Sequence, residues 1–218
     1  LNWYAQVKVS SNIPQEILDH LESRGFDTKT NLVDYDPESG TIYLRLYSTD
    51  GRLIGFQEYR PEEKNKRGIK GRDKRYYSDV PGDNYKQTAF WGAQNIDENK
   101  SYVFVTEGVF DAAPIAGMGE PAIAMLSNNI TGSKIQQLKY LGKKFIGILD
   151  SGKGGNPDIN PNQQFKRIRN LHLKTAINML GGVSFVVPEP YGDFGEMYQK
   201  NPEGARDFIS NIKMDINL

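Results

Sequence analysis

Two hydrophobic rhythms run along this chain. Residues 13–26, IPQEILDHLESRGF, place Ile17, Leu18 and Leu21 on one helical face. Asn12 is the expected N-cap with Pro14 close behind it, and Gly25 ends the helix. Residues 41–60, TIYLRLYSTDGRLIGFQEYR, change to a period of two. Ile42, Leu44 and Leu46 alternate with Tyr43, Arg45 and Tyr47, and Asp50-Gly51 supplies the turn of a hairpin.

From residue 101 the pattern becomes regular. YVFVTEG (102–108) reads as a short apolar strand, VFDAAPIAGMG (109–119) as a short helix and PAIAMLS (121–127) as a strand. SKIQQLKYLGK (133–143) reads as a helix capped by Thr131 or Ser133, and KFIGILDS (144–151) as a strand. A long helix is expected over 161–181, with Phe165, Ile168, Thr175, Ala176 and Met179 on one side, and a fourth strand over 183–190. The last 28 residues read as two short helices. Strands this apolar, alternating with helices, imply an α/β fold with a parallel sheet covered on both faces. The expected organisation is a mixed α+β subdomain over 1–100, the α/β domain over 101–190 and a short helical segment over 191–218.

Composition narrows the chemistry. The 218 residues are 38% hydrophobic and 11% aromatic, enough for a true core. There is no cysteine, which excludes disulfides, thiolate nucleophiles and cysteine-held zinc or iron–sulfur groups. With two histidines, His20 and His172, a histidine-rich metal site is excluded too, and any metal must be held mainly by oxygen. Formal net charge is zero, yet residues 64–75, KNKRGIKGRDKR, carry seven basic side chains against one acid, Asp73. No apolar run approaches the length of a membrane span, and the first residues lack a signal-peptide layout. A cytoplasmic location without membrane contact is the expectation.

Acids collect at the expected strand ends. Glu107 ends the first strand of the regular half, Asp150 ends the third and Asp193 follows the fourth; Asp111 lies one helical turn after Glu107. In open parallel sheets ligands bind outside the carboxyl ends of the strands. Carboxylates converging there can hold a hard cation, with Gly108 and Gly152 allowing close backbone approach. Glycine-rich SGKGGN (151–156) lacks P-loop spacing, although its glycines let the backbone approach a triphosphate with Lys153 as a point charge. The basic segment suits the phosphates of a single strand of DNA, and Tyr59, Tyr76 and Tyr77 beside it offer stacking faces. Lys166, Arg167, Arg169 and Lys174 of the long helix read as a solvated face, His172 as a structural or surface residue, and Trp3 and Trp91 as packing residues.

These residues carry a resemblance. Thr-Glu-Gly-Val-Phe-Asp (106–111), a small-residue strand ending Leu126-Ser127, and Gly-Ile-Leu-Asp-Ser-Gly (147–152) resemble a Toprim domain, the module shared by bacterial-type primases, topoisomerases and some nucleases. Upstream, HLESRGF (20–26), Gly51 to Phe56 and KRYYSDVPGDNYKQTAFWG (74–92) resemble the RNA-polymerase core of bacterial and phage primases. The resemblance implies a Toprim-type sheet. It implies Glu107, Asp111 and Asp150 as catalytic residues, and Glu107, Asp150 and Asp193 as ligands of magnesium or manganese. It also implies nucleic-acid and nucleotide contacts at Arg52, Lys70, Arg72, Lys74, Arg75, Lys86 and Lys153. The implied substrates are a single-stranded DNA template and ribonucleoside triphosphates, the product an RNA–DNA hybrid, and the partner a replicative helicase. Glu196 falls in the acidic stretch that follows the last strand in primases. One position departs from the pattern: the second Asp of the family's Asp-x-Asp falls on Gly152, which removes one expected metal ligand, and Asp158 is the nearest substitute. That departure keeps open a degenerate primase-like module that grips single-stranded DNA for a helicase; the Toprim pattern by itself also leaves open a Toprim nuclease or a topoisomerase fragment.

Overall fold

The computed structural model describes residues 12–63, 76–79, 88–126, 130, 132–151 and 163–218. Trp3, the basic segment 64–75, Lys86 and the glycine-rich stretch from Gly152 to Asn156 lie outside the described residues.

The first expected helix is α1, Gln15–Ser23. Its cap is Pro14 rather than Asn12: the ring fixes φ at −55° with ψ at 142°, already outside the helix, and the proline side chain makes no capping bond. The helix turns back at Gly25, whose φ of +73° is open to glycine. A Cβ there would lie 2.8 Å from the side chain of Pro114, so the end of α1 rests directly on the regular half of the chain.

The hairpin forms as β2, Thr41–Tyr47, and β3, Leu53–Tyr59, with Leu44 opposite Gln57. Two strands that the pattern does not announce complete the sheet: β1, Val33–Asp36, pairs with β2, and β4, Tyr76–Asp79, pairs with β3. The order β1-β2-β3-β4 is antiparallel throughout.

The regular half follows the expected alternation: β5 (Tyr102–Thr106), α2 (Val109–Gly117), β6 (Ala122–Ala124), α3 (Gly132–Tyr140), β7 (Lys144–Leu149), α4 (Gln163–Met179) and β8 (Val183–Val186). Two helices close the chain, α5 (Phe194–Lys200) and α6 (Pro202–Asp215). Ser133, one of the two expected caps of α3, lies inside that helix; Thr131 is outside the described residues. The four strands form one parallel sheet in the order β6-β5-β7-β8.

Side chains of the two central strands sort by the period of two. Val103 and Val105 of β5 and Phe145 and Leu149 of β7 join Leu138 of α3 and Leu173 and Ile177 of α4 in one core cluster. Phe104 of β5 and Ile146 and Ile148 of β7 face the other way, into a larger cluster with Phe110 and Ile115 of α2, Phe194 of α5 and Ile209 and Ile212 of α6. That second cluster continues into Leu21 of α1 and Ile42, Leu44 and Leu46 of β2. Both faces of the parallel sheet are therefore covered, as near-continuous apolar strands require. At the other end of the sheet, Glu120 accepts hydrogen bonds from Tyr102 (2.5 Å), Lys100 (3.0 Å) and Lys213 (2.6 Å), which ties α6 to the start of β5.

Phe90 and Trp91 connect the two sheets. Phe90 bridges to Tyr47 of β2, and Trp91 bridges to Ala124 of β6. Trp91 is 1% exposed, a packing residue as expected. Gly92 makes the close approach possible: its φ is +84°, and a Cβ there would lie 2.3 Å from the carbonyl oxygen of Ala122. Gly40 shares the left-handed conformation, at +67°, but nothing stands within 4 Å of its Cβ position. Gly92→Ala should therefore lower unfolding stability by roughly 3 kcal/mol, against about 1 kcal/mol for Gly40→Ala, in urea titrations read by tryptophan fluorescence. Equal losses would show that the approach of Gly92 to β6 contributes nothing.

Candidate functional site

Strand order positions the candidate site. From β5 the chain passes through α2 to β6 on one side, then returns through α3 to β7 on the other. The crevice outside the carboxyl ends of β5 and β7 is thus the point where the winding reverses, the usual ligand position in open α/β sheets. Glu107 follows the last residue of β5 and Asp150 follows the last residue of β7. The two strands are direct neighbours, with Val105 opposite Gly147, so both acids leave the sheet at this crevice.

The other two acids arrive on helix starts. Asp111 lies in the first turn of α2, and Asp193 is the N-cap of α5. Gly195 sets their approach. A Cβ on it would lie 2.5 Å from the carbonyl oxygen of Phe110, so only glycine lets α5 come this near α2. Its N–H donates to Asp111 Oδ1 at 3.0 Å. Asp193 Oδ1 accepts from the Glu196 N–H at 2.7 Å, and Glu196 Oε2 accepts from the Gly192 N–H at 2.7 Å. This reciprocal arrangement is a variant of the capping box. Glu196, which the sequence places in the acidic stretch, therefore spends its carboxylate on the helix start and on Lys200, 2.6 Å away.

Backbone bonds fix the strand ends. The Leu126 N–H donates to the Glu107 carbonyl at 2.9 Å, and the Met125 N–H donates to the Thr106 carbonyl at 3.0 Å. Asn170 of α4 donates its side-chain amide to the Asp150 carbonyl at 2.5 Å. Ser151 joins the next loop, its N–H donating to Gly192 at 3.0 Å and its hydroxyl to the Tyr191 carbonyl at 2.5 Å. The segments bearing Asp150 and Asp193 are thereby held together.

Electrostatics shows how closely the four acids gather. Burial pushes the Asp111 carboxyl well above the ordinary aspartate range, and the charges of Asp193, Asp150 and Glu107 push it the same way; the Gly195 N–H opposes them. Three of the acids named from the sequence thus lie near enough to the fourth, Asp111, to act on it. Among the described residues no three potential ligands form a ready-made metal cage. An octahedral magnesium ion needs only one or two carboxylates, with waters and phosphate oxygens completing the shell.

Other expected contacts fall elsewhere. Arg52 does not join the acids: its guanidinium pairs with Asp50 within the β2–β3 turn at 2.8 Å. Lys70, Arg72, Lys74, Arg75, Lys86 and Lys153 lie outside the described residues. So does Asp158. Tyr59 is no stacking face for a base: it is 2% exposed, between His20 and Tyr76 in a stack of rings over Phe110. Its hydroxyl lies 2.8 Å from His20 Nε2. His172 and Lys174 are exposed on α4.

Arg24 is the residue that pattern reading passes over. Its guanidinium carbon lies 4.1 Å from the centroid of the Phe110 ring, one residue before Asp111. Its Nε is buried with no hydrogen-bond partner among the described residues. The signal was the Arg-Gly pair of HLESRGF, since Gly25 lets the chain turn and carries Arg24 over α2.

The Asp111 carboxyl gives a stability test. Its folded pKa is raised, so the native state keeps a proton that the unfolded chain has already released. Stability is then lost as pH climbs from the unfolded value through the folded one. Asp111→Asn removes this dependence. Urea titrations at neutral pH should find the variant more stable than the parent chain, with the difference vanishing at pH 3. Gly195→Ala should drive the Asp111 titration higher still, read by carboxyl carbon NMR, because it displaces the N–H that holds it down. A carboxyl titrating near pH 4 in both chains would contradict this account of the site.

No protein-family model matches the chain. The DNA primase of Thermotoga maritima is 25% identical over 173 residues, which cover 78% of this chain and 28% of that protein. The fold is also that of a crystal structure of the zinc-binding and RNA polymerase domains of the Aquifex aeolicus primase, with a TM-score of 0.64 at 17% identity, covering 92% of this chain and 56% of that one. A DnaG primase catalytic domain bound to single-stranded DNA gives a TM-score of 0.55 at 20% identity over 92% of this chain and 59% of the other. The chain thus spans well under a third of the curated relative and somewhat over half of these two structures. By sequence it is a homologue of the DnaG-type DNA primases, and it carries the fold of their catalytic core.

Proposed function

We propose that this chain is the RNA-polymerase core of a DNA primase, joining ribonucleoside triphosphates into short primers on a single-stranded DNA template. The observation that carries this reading is the gathering of Glu107, Asp111, Asp150 and Asp193 at the reversal point of a primase-type sheet. The donors present are oxygens, their crowding disfavours negative charge at Asp111, and a positive ion relieves that crowding. This set fits magnesium or manganese. Glu107 and Asp150 would hold the ion, with the Asp193 oxygen that does not cap α5 as a third donor. When bound, such an ion polarises the α-phosphate and neutralises charge on the departing pyrophosphate.

The chain's own residues do the rest of the positioning. The Leu126 and Asn170 bonds fix the backbone at Glu107 and Asp150, so both residues are anchored at the edge before any substrate arrives. Asp111, with its raised pKa, holds a proton to higher pH than its neighbours' charge alone would favour, and orients Glu107 or a water at the same edge. The basic segment 64–75, with Lys86, follows the template phosphates, and Lys153 meets the triphosphate. The product would be an RNA–DNA hybrid, and a replicative helicase would supply the single strand. The place of this synthesis would be the cytoplasm. No helix among the described residues is long and apolar enough to cross a membrane.

Gly152 in place of the family's second aspartate favours a second reading, a module that grips single-stranded DNA without synthesis. One experiment separates the two. The purified chain is incubated with labelled ribonucleotides, single-stranded DNA and magnesium or manganese, beside Asp150→Ala. Labelled oligoribonucleotides are expected from the parent chain, with a fall of 100-fold or more in the variant. Absence of product from both chains, with DNA binding equal in the two, would overturn the primase reading in favour of the binding module. Shortening of the DNA instead would identify a nuclease.

A further inference from the structure

Lys134 is a lysine where a methionine would be cheaper. It lies in α3 and is 2% exposed, among the apolar side chains between that helix and the parallel sheet. Its ammonium stands 5.0 Å from the centroid of the Phe90 ring and donates to the carbonyl of Met125. Burial draws its pKa from 10.5 down to about 7. A buried ammonium is costly even when hydrogen-bonded, and a side chain of similar volume without charge fills such a space at less cost. Something other than stability therefore accounts for it.

The accepting carbonyl shows what that is. Met125 follows the last residue of β6 and sits at the carboxylate edge. Its N–H holds the Thr106 carbonyl, and the N–H of Leu126 holds the Glu107 carbonyl. Leu126 has a φ of +61°, in the left-handed region that side chains bearing a Cβ enter only at a cost. The turn that grips Glu107 is therefore strained, and it persists because its neighbours hold it there. Lys134 holds it from the α3 side. Without that bond Met125 and Leu126 are free to relax toward ordinary backbone, and the Leu126 N–H leaves Glu107.

We infer that Lys134 is a positioning residue, a buried donor that locks the Met125–Leu126 turn and through it fixes the backbone of Glu107 at the carboxylate edge. The inference rests on the proposed role of Glu107 as a ligand. It is tested in the full chain with Lys134→Met, which keeps the volume and removes the donor, and with Lys134→Gln, which keeps a donor and removes the charge. Three quantities are read: global unfolding in urea at pH 6.5, amide hydrogen exchange at Leu126 and Glu107, and manganese binding by paramagnetic relaxation of water. Lys134→Met should match or exceed the parent in global stability. Its Leu126 amide should exchange at least tenfold faster, and its manganese dissociation constant should rise at least fivefold. Lys134→Gln should fall between the two chains, and it replaces the methionine variant if that one fails to fold.

Unchanged Leu126 exchange and manganese binding in a folded variant would overturn the inference. Faster exchange spread evenly over the chain, in step with lower global stability, would reduce Lys134 to a packing residue and overturn it as well. Glu107→Gln separates the two levels. Manganese binding unaffected by Glu107→Gln removes the ligand reading itself. Binding lost in Glu107→Gln but kept in Lys134→Met removes only the role of Lys134.

Discussion

Phe90 and Trp91 bond in opposite directions. Phe90 exchanges both of its backbone bonds with Tyr47, at 2.8 Å each, and Trp91 exchanges both of its bonds with Ala124, at 3.3 and 3.0 Å. One extended dipeptide thus belongs to the antiparallel sheet on one side and to the parallel sheet on the other. It also covers the outer edge of β6, a three-residue strand that would otherwise present unpaired backbone to solvent. The dependence runs onward from there. β6 leads into Met125 and Leu126, those two residues grip Thr106 and Glu107, and Glu107 is one wall of the carboxylate edge. A displacement of the N-terminal sheet is therefore felt at the site through backbone bonds, which tolerate little stretching.

The edge itself is assembled from different kinds of support. Glu107 and Asp150 are placed by the sheet, while Asp111 and Asp193 are placed by helix starts. The helix starts also moderate the charge. Backbone N–H groups at the beginning of α5 point at Asp111 and Asp193, and a helix start favours negative charge nearby. At Asp111 that help does not prevail. Burial and three neighbouring carboxylates outweigh one N–H, and the carboxyl is pushed up. The fold thus tolerates locally unfavourable electrostatics at this edge, a pattern that strained and charged sites share.

The parallel half was legible because its strands are buried on both faces. A run such as Tyr102–Thr106 is wholly apolar up to Thr106 and has little choice but to be central, and the acids after such runs mark the carboxyl ends. The antiparallel half was only half legible. β2 and β3 show a clear alternation, but β1 is VDYD and β4 is YYSD, four residues each, and the ladder rather than their own pattern makes them strands. The pairing of Asp193 with Glu196 was visible as a D-x-x-E spacing before a helix, yet it reads equally as a cluster of ligands. Strand order was not legible, since it depends on contacts between residues far apart in the chain. Nor was the place of Arg24, or the bond from Lys134 to Met125, because both exist only once α1 and α3 have docked.

The raised Asp111 carboxyl has a consequence beyond stability. A group that keeps its proton because it is buried, and because its neighbours are negative, is a small acid reservoir, and its filling tracks the local potential. Any positive charge that settles among these acids makes that potential less negative and drains the reservoir. Arrival of a cation then favours departure of a proton. The heat of such binding includes the ionisation of whatever buffer takes up the proton, so the apparent enthalpy changes with the buffer while the affinity at fixed pH does not.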